Sequence, residues 1–229
     1  MQKGVKFRIY PNMEQQNLIN QTLGCCRLIY NKCLAMRNEA YENGNKIGYS
    51  QTSSMLTELK RTEEFAFWKE VDSIALQQSL RDLDRGFVNF FQKRAAHPTY
   101  KSKHNHHQSY RTVNQDDNIH IAGKYMKLPK LGFVKIRQSM EVGKINHVTI
   151  ERTPTNKYFA VLNVEFEPQP RPNNGGRIGI DVGIKEFYSD SNGTVVSNPK
   201  YLERSMRKLI REQRKLSRKP KGSNNRTKQ

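Results

Sequence analysis

The sequence predicts an α+β protein of several domains, in which a small β-barrel holds an inserted helical bundle and precedes a hairpin and a basic helix. Three observations support this: one alternating segment before Pro11, a long stretch of helical period to about residue 96, and several short alternating runs afterwards. Apolar residues recur every second position in strands and every three or four in helices. A chain of 229 residues can bury a sizeable core in one to three domains.

The first strand and three helices account for residues 3–96. KGVKFRIY places Val5, Phe7 and Ile9 on one face, which predicts a strand that ends at Pro11. Apolar residues at helical spacing predict helices from Glu14 to about Glu42, from Tyr49 to Arg61 with Ser50 as a candidate cap, and from Leu76 to Phe91. We therefore expect a helical bundle over residues 13–96.

A second β region follows the His-rich loop HPTYKSKHNHHQ. Alternating or β-branched runs with Gly and Pro between them predict short strands at 119–121, 125–128, 133–137, 147–153 and 158–166. Five or six short strands indicate a small barrel, which the early strand could join. This assigns 1–12 and 97–170 to the barrel, makes the bundle an insertion, and leaves 171–176 as a linker.

The last segment, residues 177–229, reads as a hairpin followed by a basic helix. In RIGIDVGIKEFYSDSNGTVVSN, residues 177–183 alternate as a buried strand would, and Asn192-Gly193 is a strong hairpin signal. Residues 200–229 contain twelve Lys or Arg and two Glu. We expect this lone hairpin to be marginally stable, since isolated meanders rarely persist.

The formal net charge is +19 and the pI is near 10.0, which predicts a polyanionic partner. Nucleic acid is favoured over a membrane surface, because no apolar run approaches the roughly 20 residues of a spanning helix. Cys25, Cys26 and Cys33 form no CxxC pair, so no zinc is expected in this chain and a reducing cytoplasmic location follows. A solvated face, or a membrane-binding helix, is the alternative for the basic tail.

Asp181 is the candidate catalytic residue. An acid among apolar neighbours usually pairs with a cation or binds a metal, although it can also hold a turn or pair with a lysine. Nucleases of the ribonuclease H type use such carboxylates, from separate strands, to bind two Mg²⁺ ions. The later acids are Glu186, Asp190, Glu203 and Glu212, and none lies on a separate predicted strand. Mg²⁺ binding therefore needs carboxylates from another segment.

GIDVGIKEF, followed by NGTVVSNPKYL, resembles the first catalytic motif of the TnpB family, the OrfB-type transposon-encoded RNA-guided DNA nucleases similar to type V CRISPR effectors. RIYPNMEQQNLINQTLGCCRLIYNKCL, SIALQQSLRDLDRGFVNFF, MKLPKLGFVKIR and LSRKPKGSNNR resemble further family segments in the same order. The resemblance implies a wedge-type barrel, a helical recognition insertion and a RuvC-like nuclease segment, the last incomplete here.

The resemblance also implies partners and site residues. Guide RNA and double-stranded target DNA would bind through backbone contacts, and Asp181 would be the first metal ligand. Tyr49, Gln77, Gln115 and Asp116 fall at or beside positions that read a short DNA motif flanking the target. Eight basic residues of the tail are candidates for backbone contacts: Arg204, Arg207, Lys208, Arg211, Arg214, Lys215, Arg218 and Lys219.

Family members continue with a second catalytic Glu, a CxxC…CxxC zinc ribbon and a final Asp, which this sequence lacks. We therefore expect a truncated or frameshifted transposase-type copy, or one whose remainder is a second polypeptide acting at the bacterial or archaeal nucleoid. Either would be unable to cleave DNA alone. The alternative is a non-cleaving regulator that binds RNA or, guided by RNA, binds DNA.

Overall fold

A computed structural model describes residues 1–168 and 175–229, so the predicted linker at 171–176 lies largely outside the described residues. The chain divides into two compact units, residues 1–169 and 170–229, which are treated separately below. The first unit contains a long sheet with three α-helices. The second contains a small sheet with two helices. The α+β class predicted from the sequence is confirmed.

The first unit begins with strand β1 (Gln2–Tyr10) and the thirty-residue helix α1 (Met13–Glu42). Asn12 caps α1 because its Oδ1 accepts a hydrogen bond from the Gln15 amide, while the Gln15 side chain accepts one from the Asn12 amide. Pro11, which precedes this cap, separates strand from helix. The strand-then-helix order predicted for residues 3–42 is therefore confirmed.

Helix α2 (Tyr49–Leu59), a 3-10 helix (Glu63–Lys69) and helix α3 (Ser73–Phe91) complete the helical part. The proposed cap at Ser50 is wrong, because α2 begins one residue earlier and Gly48 occupies the capping position. Asp72 caps α3, with Oδ1 accepting from the Ile74 amide at 2.9 Å. The 3-10 helix was not predicted, and it carries the buried rings Phe65 and Trp68.

Six more strands follow α3: β2 (Gln108–Val113), β3 (His120–Ala122), β4 (Tyr125–Leu128), β5 (Gly132–Arg137), β6 (Ile145–Arg152) and β7 (Tyr158–Glu165). With β1 they form a curled antiparallel sheet in the order β2-β6-β7-β1-β5-β4-β3. Strand β2 was not predicted. Because β1 pairs with both β7 and β5, the three α-helices are inserted between strands of one sheet.

One hydrophobic core joins the sheet to the helices of the first unit. Val5, Phe7 and Ile9 contribute the inner face of β1, and the cysteines at 25, 26 and 33 are buried on α1. Leu76, Leu80 and Leu83 form the buried stripe of α3. The periodic positions of the sequence therefore become core wherever a second layer covers them.

The second unit has strands β8 (Ile180–Asp181), β9 (Glu186–Asp190) and β10 (Val195–Ser197), followed by helices α4 (Tyr201–Ser217) and α5 (Asn224–Thr227). The strands form an antiparallel sheet in the order β10-β9-β8. Gly193 has φ +84°, which the turn between β9 and β10 requires, so the predicted Asn192-Gly193 hairpin is confirmed. Among the described residues, no helix has the length and apolar character needed to cross a membrane.

Candidate nucleic-acid interface

The outer face of the large sheet combines basic and aromatic side chains. Alternation along β1 directs Phe7 and Ile9 inward and leaves Lys6, Arg8 and Tyr10 on the other face. Strands β4 and β5 follow the same rule. Their outward residues are Tyr125, Lys127, Phe133, Lys135 and Arg137, all of which are exposed. Three neighbouring strands thus present one continuous surface of cations and rings.

Strand register turns this surface into ordered rows. Lys135 on β5 lies opposite Tyr125 on β4 and opposite Tyr10 on β1, so a cation sits between two exposed rings. Directly opposite residues in an antiparallel pair have Cβ atoms about 5 Å apart. This spacing lets a planar ligand on either ring lie next to the lysine.

A second row runs parallel to the first. Arg8 on β1 lies opposite Phe159 on β7 and Arg137 on β5. Its guanidinium carbon is 5.0 Å from the Phe159 ring centroid and 5.5 Å from that of Tyr10, so Arg8 also links the two rows. Cation–π contacts of this kind fix the orientation of the guanidinium. Arg137 remains exposed beside it.

Single-stranded nucleic acids bind to surfaces with this chemistry. Bases stack on aromatic rings without regard to sequence, and phosphates are neutralised by neighbouring Lys and Arg. Sequence analysis did not single out these residues. The signal was present, because KFRIY, YMKL and FVKIR alternate basic or aromatic residues with apolar ones.

The predicted DNA-reading residues Tyr49 and Gln77 lie close to one arginine. Tyr49 is the first residue of α2, and the Arg81 guanidinium carbon is 5.0 Å from its ring centroid. Gln77 lies one turn before Arg81 on the same exposed side of α3. The helices therefore bring an aromatic ring, an amide and a cation to one surface.

A lysine extends this surface along α3. The Lys60 ammonium donates a hydrogen bond to Ser73 Oγ at 3.0 Å, one turn before Gln77. Burial lowers the pKa of Lys60, Lys130 adds to the decrease, and Asp72 opposes it.

Gln115 and Asp116, the other two predicted reading residues, lie in the loop between β2 and β3. Asn114 holds the base of this loop, since its amide donates to the Ile119 and Ile145 carbonyls and accepts from the Ile119 amide. Asp116 has φ +51°, a left-handed conformation that Asp tolerates in turns. The loop is anchored at its base and exposed at its tip.

Asp181 lies on β8, paired with Ser189 of β9, and its side chain is exposed. The prediction of a buried strand over residues 177–183 is wrong for this structure. Only Ile180 and Asp181 form strand, and Ile180 is 59% exposed. The reason is that no second layer within the described residues of this unit covers the sheet.

The acids nearest in sequence do not join Asp181 in a cluster. Asp190 is used by its own turn, where Oδ1 accepts from the Asn192 and Thr194 amides at 2.9 Å. These backbone donors, Thr194 first, lower the pKa of the Asp190 carboxyl. Over residues 1–168 and 175–229, no group of three or more His, Cys, Asp or Glu is arranged to hold a metal ion. Asp181 fits the role of one Mg²⁺ ligand, and the described residues do not supply the rest of the donor set.

Helix α4 carries six of the eight predicted basic residues, and Arg218 and Lys219 directly follow it; all of them except the partly buried Lys219 are exposed. Glu203 pairs with Arg207, and Glu212 with Arg211 and Lys215. Lys219 donates to the Asn225 carbonyl and to the Gln229 side chain. Exposed pairs contribute little to stability, so most of the positive charge stays available to phosphate.

Two family models match the chain. One, described as a "Helix-turn-helix domain" of the OrfB group of IS605, covers residues 1–46, and the other, described as "Probable transposase" of the same group, covers residues 152–229. In the present structure the first matched region forms β1 and the single helix α1.

Two curated proteins match over all or nearly all of the chain, and a third matches part of it. A protein of Streptomyces pristinaespiralis, provisionally named RNA-guided DNA endonuclease, is 37% identical over 100% of this chain and 58% of its own length. Another from Escherichia coli K12, provisionally named RNA-guided DNA endonuclease InsQ, is 35% identical over 98% of this chain and 56% of its own. Virulence protein VsdF of Salmonella dublin is 34% identical over 45% of this chain and 96% of its own.

The chain thus spans somewhat more than half the length of the two endonuclease relatives. Among solved structures, a CRISPR-Cas12f ternary complex aligns with 94% of this chain and 55% of that chain, with a TM-score of 0.46 and 13% identity. The family models and the full-length identities agree with the motifs around Asp181. The chain belongs to the OrfB-type, TnpB family of insertion-sequence proteins.

Proposed function

We propose that this chain binds a guide RNA and, through base pairing of that RNA, double-stranded target DNA, as part of an RNA-guided DNA endonuclease. The observation that carries the proposal is the pair of cation–ring rows across β4, β5, β1 and β7. In guided systems the protein holds the nucleic-acid backbone while base pairing supplies sequence specificity. The names of the two long relatives support the same role.

The domain assignment follows from the same family. Residues 1–12 with 97–170 act as the wedge-type barrel, 13–96 as the recognition bundle, and 177–229 as the RuvC-like segment. Pairing of β1 with β5 and β7 supports the first two assignments, because it makes the helices an insertion into one sheet. The exposed cations of α4 support a backbone-binding role for the third.

The bundle and the loop after β2 read a short DNA motif beside the target. Gln77 can pair with the edge of an adenine, and Tyr49 supplies a flat apolar contact. Gln115 and Asp116 at the tip of their loop add polar contacts. The proximity of Tyr49 and Gln77 to Arg81 supports this role, because Arg81 can hold the neighbouring phosphate.

Mg²⁺, when bound by a complete set of carboxylates, activates water and stabilises the leaving oxygen of a phosphodiester. Asp181 would be one ligand. The remaining carboxylates would come from another segment or from a second polypeptide, so we expect residues 1–229 to bind without cutting. A non-cleaving regulator that binds RNA or, guided by RNA, binds DNA is the second candidate, because that role would need only the basic surfaces of the sheet and of α4.

Binding is tested with the RNA that copurifies with the protein. Lys135→Gln should lower the slope of log Kd against log salt by about 0.7, the value for one contact to a single strand. Lys157→Gln is the matched control, because Lys157 is exposed in the turn between β6 and β7 and lies outside both rows. Absence of copurifying RNA, or equal slopes for the two variants, would contradict the proposal.

Cleavage is tested with the same complex, target DNA and Mg²⁺. We expect intact DNA. Robust cutting that is lost in Asp181→Ala would show that the site is completed within this chain. The DNA after codon 229 distinguishes the two candidates, because sequence there that encodes the Glu and the zinc ribbon favours the endonuclease, whereas an unrelated gene favours the regulator.

A further inference from the structure

A groove of about 980 Å³ opens where the end of α1 meets the end of α3. Five of its twelve lining residues carry rings, namely Tyr41, Phe87, Phe90, Phe91 and His97, and Ile47 is its single aliphatic side chain. These residues belong neither to the outer face of the sheet nor to the surface formed by Tyr49, Gln77 and Arg81. Its size falls within the range of small-ligand sites.

One end of the groove is rigid. The Arg37 guanidinium carbon is 4.1 Å from the centroid of the Phe87 ring, and Arg37 Nη1 donates to Asp84 Oδ1 at 2.9 Å. His97 meets Phe87 and Phe90 edge-on, with centroids 5.3 Å and 5.1 Å away. These contacts link α1, α3 and the following loop, so the aromatic wall is fixed before any ligand arrives.

The other end is open. Phe91 is 65% exposed and Tyr41 is 71% exposed, although both line the groove. The Phe91 ring is inclined by 25° to that of Phe87, with centroids 6.3 Å apart. Two large rings therefore keep exposed faces on which a flat ligand can stack.

Polar groups surround these rings. The side-chain amides of Asn38 and Asn45 line the groove and can both donate and accept hydrogen bonds. Lys46 and Glu42 also line it, and the exposed Lys93 and Arg94 follow the C-cap of α3, so cations outnumber the carboxylate here. Rings next to amides and cations match the face, the edge and the phosphate of a nucleotide.

We propose that this groove holds an unpaired nucleotide of the bound RNA strand, with its base stacked on Phe91 or Tyr41 and its edge facing the two asparagines. The inference depends on the proposed RNA binding and adds a separate site to it. Because stacking needs a ring and not a charge, removing the ring should weaken binding without changing its salt dependence.

The test uses the full 229-residue chain and a 4-thiouridine-containing uridine 12-mer of RNA. Phe91→Ala should raise Kd about tenfold, within the range for loss of one stacked base, with an unchanged salt slope. Phe91→Tyr should retain affinity. Val88→Ala is the control on the same helix, since Val88 is exposed and does not line the groove. Crosslinks should map to the peptides that contain Tyr41 and Phe91.

Four results would overturn the inference. If the parent chain binds the RNA and Phe91→Ala binds equally well with no crosslinks in the groove, the base site is wrong while the RNA-binding function stands. If the parent chain binds no RNA, both proposals fail. If Phe91→Ala alters self-association in sedimentation but not RNA affinity, the groove is a contact between copies of the protein. If Phe91 is needed for binding of free UMP but not for binding of RNA, the groove is a site for a free nucleotide.

Discussion

Helices α3 and α4 have similar apolar stripes, but only the stripe of α3 is buried. On α3, Leu76, Leu80 and Leu83 are buried beneath the sheet and its neighbouring helices. On α4, Leu202 is 77% exposed, and Met206 and Leu209 are about half exposed. An amphipathic pattern therefore specifies the helix, whereas burial of its stripe requires a second layer. The first unit has such a layer, and the described part of the second does not.

Hydrogen exchange should show the largest difference between the two units. Amides in β1 and β7 should exchange at least on the order of a thousandfold more slowly than those in β9 and β10, because their exchange needs unfolding of a complete core. The measurement is mass spectrometry of the native chain over a series of exchange times. Equal protection in β9 would mean that the small sheet is stabilised far better than its exposed side chains indicate.

Replacing a phenylalanine by alanine should give the second-largest difference between the units, measured as the free energy of unfolding. Phe7 is 1% exposed and lies opposite Ala160 in the middle of the large sheet, so Phe7→Ala should cost about 3–5 kcal/mol. The same change at Phe187, which is 53% exposed on β9 of the second unit, should lower the free energy of unfolding of the first unit by less than about 0.5 kcal/mol.

Trp68 is the single tryptophan and is buried in the first unit, so its fluorescence during urea unfolding reports on that unit alone. A comparable loss from Phe187→Ala would show that the first unit depends on the second. A small loss from Phe7→Ala would mean that the sheet can fill the cavity.

The sequence specified the order of elements well. Alternation and helical spacing located β1, the three α-helices and five of the six later strands of the first unit, and Asn192-Gly193 located the hairpin. The two elements of the first unit that were not predicted, strand β2 and the 3-10 helix, depend on tertiary contacts. Strand β2 follows a polar loop and offers only two buried side chains, Tyr110 and Thr112, and the 3-10 helix is too short for periodicity to show.

The candidate sites were predictable to different degrees. Asp181 was found from its apolar neighbours and its motif, but its exposure was not, because burial depends on the layer above a strand. Alternating runs of the sequence contain each of Tyr10, Tyr125 and Lys135. These side chains become neighbours only through the register of β1, β4 and β5, and β1 is distant in sequence from the other two strands. Pairing across so many residues cannot be read from local pattern.

Alkaline pH should lower the free energy of unfolding of the first unit more than that of the second, because all three cysteines lie in the core of the first unit. Burial raises the pKa of Cys25 and Cys33 to about 11 and that of Cys26 to about 12, from an ordinary 9.0. A raised pKa contributes stability that is complete below pH 9 and is lost as pH rises toward 11 or 12. In that window, each thiol should lower the free energy of unfolding by about 1.4 kcal/mol for each pH unit of increase.

Urea unfolding followed by Trp68 at pH 8 and pH 10 measures this loss. Cys26→Ala is the control, because it removes one thiol and leaves the tyrosines and lysines that titrate in the same range. The variant should lose less stability between the two pH values than the parent does. Identical losses would mean that the buried thiols do not take part.

Acidic pH should destabilise the turn between β9 and β10 in the second unit. This is the smallest expected effect. Backbone donors, first the Thr194 amide and then that of Asn192, lower the pKa of Asp190 below its ordinary 3.8. The carboxylate therefore stabilises the turn above that value and stops doing so as pH falls through the lowered pKa. The Thr194 amide shift, followed by NMR against pH, should titrate with a midpoint below 3.8. Asp190→Asn keeps an acceptor without a charge, so its Thr194 shift should not follow this titration, and a parent midpoint at or above 3.8 would show that the carboxylate does not hold the turn.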